Sequence, residues 1–159
     1  MQSTLIRSMR AVYESAAGPL GEGTSADILL VSIAGAVTRA CERWPSFAVH
    51  TDALVARMAA IAGTEAGASA WVDQLAADDL LLAAACLARD QEAVTTVEKI
   101  VRDAIRPVLL RRHGSDTVRV EEATQITLLK VLFGEQQGRE PRIAQYEARG
   151  PLTAWVRMV

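Results

Sequence analysis

Apolar residues recur along this chain at intervals of three and four, the spacing that gathers side chains on one face of a helix turning once per 3.6 residues. Over 2–17, Leu5, Met9, Val12 and Tyr13 share a face, and Gly18-Pro19 ends the run. A second helix is predicted from about Ala26 to Arg43, capped by Thr24 or Ser25 and stopped by Pro45, with Leu30, Ile33, Ala34, Val37 and Cys41 as its buried stripe. A third starts at Thr51-Asp52, buries Leu54, Val55, Met58 and Ile61, and exits at Gly63. Trp71 and Leu75 anchor a short helical turn, with Trp44 and Trp71 expected in the core.

From Asp78 the pattern predicts two helices meeting near Arg89-Asp90, with Asp90 as N-cap of the second. Pro107 lacks an N–H and restricts Arg106, so that helix is expected to kink or restart there. A further helix follows the Ser115-Asp116 cap and runs to about Phe133, where Gly134 ends it. Within it Val120, Ala123, Thr127, Leu128 and Val131 lie on one side, and Glu121, Glu122, Gln125 and Lys130 on others. After a polar loop to Pro141, a last helix is expected from Pro151, with Leu152, Trp155, Val156 and Val159 on one face.

Composition agrees with this reading. Half of the 159 residues are hydrophobic and only 4% aromatic, alanine and leucine dominate, and no Asn-Gly or Asp-Gly hairpin signal occurs. The fold class is all-α, a helical bundle. The net charge of −2 hides an asymmetry: residues 1–98 carry 6 Lys/Arg against 12 Asp/Glu, and residues 99–159 carry 11 against 7. The second part is therefore the one compatible with nucleic acid.

Candidate chemistry of other kinds is sparse. Cys41, Cys86, His50 and His113 lack the short pairwise spacing of a zinc site, and the cysteines read as buried thiols. The glycines at 18–23 lack the Gly-Lys-Ser/Thr ending of a phosphate loop. No nucleophile elbow or His-Glu-X-X-His occurs, and the adjacent carboxylates Asp78-Asp79 and Glu121-Glu122 diverge by about 100° on a helix. Neither an enzyme nor a cofactor is expected. The longest uninterrupted apolar stretches are too short for a membrane span, and no signal peptide opens the chain, so a soluble cytoplasmic protein without a membrane partner is expected.

Three blocks carry a resemblance. The order acidic, acidic, X, X, Gln, then Thr alternating with large apolar residues before a basic one resembles the second helix of the polymerase-binding domain of sigma-70 family factors of the extracytoplasmic-function type. Glu121, Glu122, Gln125, Thr127, Leu129 and Lys130 take the matching places, while Ile126 stands where that family carries Glu. The acidic-Leu helix from Asp78, the Arg89-Asp90 turn in place of Gly-Asp, and the long helix containing Pro107 resemble that domain's opening. The run Ile-Ala-X-Tyr-X-X-Arg-Gly-Pro-Leu-X-X-Trp-Val-Arg at 143–157 is similar to sigma-like proteins common in myxobacteria, which also carry a helical N-terminal extension.

The resemblance covers 76–159 and implies a helical extension of unknown role over 1–75, then a sigma-domain-2-like bundle of three to four helices. It implies docking on the clamp coiled coil of core RNA polymerase through Glu121, Glu122, Gln125 and Leu129. It also implies capture of the non-template strand of promoter DNA by Lys130, Arg142, Tyr146, Arg149 and Arg157, with an anti-sigma regulator as a further partner. In that family the last helix continues past the point where this sequence stops, so a fragment of a longer protein is expected, a naturally short sigma-like protein being the alternative. The rival reading is a helical interaction or regulatory module that binds no DNA.

Overall fold

The computed structural model describes residues 2–64, 67–114, 116–134 and 140–159, with side chains from residue 6 onward. Among them there is no strand. The helices are α1 Gln2–Ala17, α2 Thr24–Arg43, α3 Thr51–Ala62, α4 Ala68–Gln74, α5 Ala77–Leu87, α6 Gln91–His113, α7 Thr117–Leu132 and α8 Leu152–Val156, with 3₁₀ turns at Pro45–His50 and Arg142–Gln145. The all-α expectation therefore holds. The chain divides into two compact units, Met1–Ala84 with Glu147–Arg149, and Ala85–Tyr146 with Gly150–Val159. The expected boundary is at 75/76; this division falls inside α5.

In the first unit α1 packs on α3 and α2 on α4. Met9 and Tyr13 are buried as predicted, and the Tyr13 hydroxyl donates to the carbonyl of Gly63. That carbonyl belongs to the residue ending α3 at a φ of 66°, a conformation suited to glycine. Leu5 lies outside the described side chains. Gly23, not Thr24 or Ser25, is the N-cap of α2, and no side chain caps it. α2 is the one described helix long and apolar enough to cross a membrane by length and composition. It packs Ala26, Leu29, Leu30, Ile33, Ala36, Val37 and Ala40 into the unit.

Trp71 corrects the expectation of a core anchor. It is 46% exposed, and Ala68, Val72 and Leu75 carry the burial of the α4 region instead. A helix of seven residues offers one narrow inward face, and those smaller side chains fill it. The guanidinium of Arg149, in the same unit, lies 5.4 Å from the Trp71 ring centroid, so the indole keeps a cationic neighbour on the surface. Trp44 is half-buried, with its ring 5.8 Å from that of Phe47.

In the second unit α6 packs against both α7 and α8. Asp90 caps α6 as the sequence predicts, its carboxylate accepting from the N–H groups of Glu92 and Ala93 at 3.0 and 3.1 Å. Arg89, immediately before it, has a φ of 63°, the conformation for which the more usual glycine is suited. The helix does not restart at Pro107 but runs on to His113. Pro107 and Asp103, whose carbonyl loses its partner, are both exposed, so water can satisfy that oxygen. Val97, Val101, Ala104 and Ile105 form the buried side of α6.

α7 starts at its Asp116 cap, which accepts from the N–H of Arg119 at 3.1 Å; Ser115 lies outside the described residues. Its buried side is Val120, Thr124, Leu128, Val131 and Leu132. Thr124 is the unexpected member. Its hydroxyl donates to the carbonyl of Val120 at 2.7 Å, which lets a polar residue sit in an apolar interface. α8 buries Leu152 and Val156, but Val159, placed on the same face by periodicity, lies beyond the helix end and is exposed. Replacing Asp90 with Ala should lower the unfolding free energy by about 1 kcal/mol. Urea denaturation followed by circular dichroism measures this, and an unchanged midpoint would mean the cap contributes nothing.

Candidate partner-docking surface

α7 has two apolar sides. With its inward side packed on α6, Val118 stays 66% exposed, Ile126 and Leu129 each 55%, and Phe133, just past the helix end, 47%. At 100° per residue, positions 118, 122, 126, 129 and 133 fall within a sector of about 80°. Glu122 therefore sits in the middle of an exposed apolar stripe. Thr117, Val118, Glu121, Glu122, Gln125 and Ile126 line a shallow open groove along it. A row of large apolar side chains in water is unfavourable unless something covers it, at roughly 25 cal/mol per Å² of apolar surface buried.

The four residues assigned to polymerase contact are all exposed on this helix, but they are not equivalent. Glu121 lies on the flank facing α6, where its Oε1 accepts from Arg102 Nη1 at 3.0 Å and from Gln125 Nε2 at 2.9 Å. Those two hydrogen bonds, with the charges of Arg102 and Arg106, hold the Glu121 carboxyl below the usual glutamate range. Glu122 makes no ion pair among the described residues. Leu129 belongs to the stripe.

The residues assigned to strand capture have different surroundings. Arg149 belongs to the first unit, while Lys130, Arg142, Tyr146 and Arg157 belong to the second. Arg149 is ion-paired with Glu147 at 2.8 Å, Arg157 donates its Nε to the carbonyl of Ala104 at 3.3 Å, Arg142 is exposed on its 3₁₀ turn, and Lys130 is half-buried. Tyr146 requires a correction. It is 2% exposed, its hydroxyl donates to the carbonyl of Gly150 at 2.6 Å, and Trp155 meets its ring edge-on at 5.5 Å. Both faces of the phenol are enclosed, so it offers no platform for a base. The hydroxyl bond ties the ring to the turn that leads into α8.

Val118, Ile126, Phe133 and Arg102 are not among the residues expected from sequence. The first three were legible as a second stripe on α7 at intervals of eight and seven residues. Arg102 was not, because it stands 19 positions from Glu121 and only the packing of α6 on α7 brings them together. Elsewhere, burial first and the Asp90 charge second push the Cys86 thiol up to about 12, which keeps it protonated and unreactive at neutral pH. Among the described residues no three His, Cys, Asp or Glu side chains converge in a metal-holding group.

Removing the Tyr146 hydroxyl with Phe should cost about 1 kcal/mol of stability, and Tyr146→Ala about 3–5 kcal/mol, in denaturation experiments. Unchanged stability in Tyr146→Ala would return the ring to the surface. Comparison of the chain with protein-family models, curated proteins and solved structures gives no match.

Proposed function

We propose that this chain is a docking protein of bacterial transcription initiation, and that the outer side of α7 seats on the clamp coiled coil of core RNA polymerase. The observation that carries the reading is the exposed stripe of Val118, Ile126, Leu129 and Phe133 with Glu122 at its centre. A coiled coil offers the complementary shape, a long ridged surface that takes apolar side chains between charged neighbours. The carboxylate in the middle directs a cation of the partner to that spot, because an acid covered without a counter-charge is strongly unfavourable. The resemblance of Glu121, Glu122, Gln125, Leu129 and Lys130 to a sigma docking helix supplies the identity of the partner. The proposed compartment is the cytoplasm.

Promoter contact in this reading falls to Lys130, Arg142, Arg149 and Arg157, since Tyr146 is occupied in the core. A second reading, a helical module that docks on a protein without touching DNA, is favoured by one observation. Among the cations assigned to the strand, Arg149 is ion-paired with Glu147 and Arg157 donates to the carbonyl of Ala104. Salt separates the two: strand capture should weaken steeply with ionic strength, and apolar docking should not.

In a pull-down against core RNA polymerase or its isolated clamp coiled coil, the full chain should be retained, and the double variant Glu122→Lys with Gln125→Ala should lose about 100-fold or more in affinity. Leu129→Ala should lose about tenfold, the share expected of one partly buried leucine. Absence of binding by the folded wild-type chain would overturn the reading.

A further inference from the structure

We infer that Arg102 is a positioning residue that divides the acidic pair of α7: it holds Glu121 with Gln125 on the flank, and leaves Glu122 as the single acid an incoming cation engages. This inference rests on the docking reading and assigns unequal roles to two residues that look interchangeable in the sequence. Adjacent positions on a helix diverge by about 100°, so one carboxylate of the pair points along the apolar stripe and the other toward α6. The structure places Glu122 on the stripe. It places Glu121 where two donors converge on the same oxygen, Arg102 Nη1 at 3.0 Å and Gln125 Nε2 at 2.9 Å.

The consequence for a partner is a definite charge pattern. Glu121 is already paired with a cation of its own chain, and Arg106 lies near enough to act on it as well. A basic partner residue therefore gains little there, while at Glu122 no cation among the described residues competes. One N–H of the Gln125 amide is committed to Glu121, which fixes the side chain and leaves its carbonyl oxygen and second N–H to a partner. The fitting partner is then an apolar helical ridge with one cation aimed between Val118 and Ile126, not a densely basic surface that would neutralise both acids.

The pair Arg102–Glu121 is partly solvated, with side chains 41% and 60% exposed, so its effect on binding is modest and is read best at low salt. The test uses the full chain and the isolated clamp coiled coil at low and high ionic strength. Glu122→Gln should weaken binding about thirtyfold and flatten its salt dependence, whereas Glu121→Gln should change it less than about twofold. Arg102→Gln, which releases the second acid, should strengthen binding at low salt by about two- to fivefold. The double variant Arg102→Gln with Glu121→Gln should return to the wild-type value. A partner-independent readout accompanies these: the side-chain carboxyl of Glu121, titrated by NMR, should ionise at higher pH in Arg102→Gln than in the wild type.

Equal losses in Glu121→Gln and Glu122→Gln would overturn the division of roles, as would a loss of affinity in Arg102→Gln or an unmoved Glu121 titration. These outcomes, obtained with a wild-type chain that binds, count against the role of Arg102 alone. A wild-type chain that fails to bind the coiled coil removes the docking reading, and this inference with it.

Discussion

The packing of α7 on α6 is the constraint from which the candidate surface follows. Val120, Thr124, Leu128 and Val131 are the buried side of α7, which packs on α6, and that packing fixes the rotation of α7 about its own axis. Once the rotation is fixed, Val118, Ile126, Leu129 and Phe133 have no route to the interior. Thr124 shows how closely the inward side is specified, since it is buried only because its hydroxyl is returned to the carbonyl of Val120. The same packing carries Arg102 to Glu121 across 19 residues of sequence. Core and surface chemistry thus have one cause, and a rotation of α7 by one residue would bury Glu121 and break both.

Much of this was readable from residue order, and the failures have physical reasons. Asp90 as N-cap of α6, Asp116 as cap of α7 and Gly63 as the exit of α3 depend on local chemistry, so local sequence carried them. Pro107 misled because its cost depends on what faces the missing hydrogen bond, and here solvent does. Trp71 misled because hydrophobicity ranks a tryptophan high for the core, while α4 has room inward only for Ala68 and Val72. Tyr146 was an amphipathic side chain with two possible environments. Its burial depends on Gly150 and Trp155 closing around it, a tertiary arrangement that periodicity does not encode.

The candidate site was half legible. Glu121, Glu122, Gln125 and Leu129 are exposed on one helix as read, but Glu121 and Glu122 look alike in sequence and differ in structure by what stands beside each. The strand-binding set fared differently: Tyr146 is buried against Trp155 with its hydroxyl on Gly150, and Arg149 and Arg157 are engaged by Glu147 and the carbonyl of Ala104. The proposed docking uses the α7 stripe whether or not the chain also holds a melted strand.

The most direct measurement of the central claim is site-specific photo-crosslinking from position 126, on the outer side of α7, with a control crosslinker at position 31 on the exposed side of α2. In the presence of core RNA polymerase, the account predicts a crosslink from 126 to the clamp coiled coil and none from 31. Crosslinking from 31 alone, or to a polymerase surface other than the clamp from 126, would contradict it.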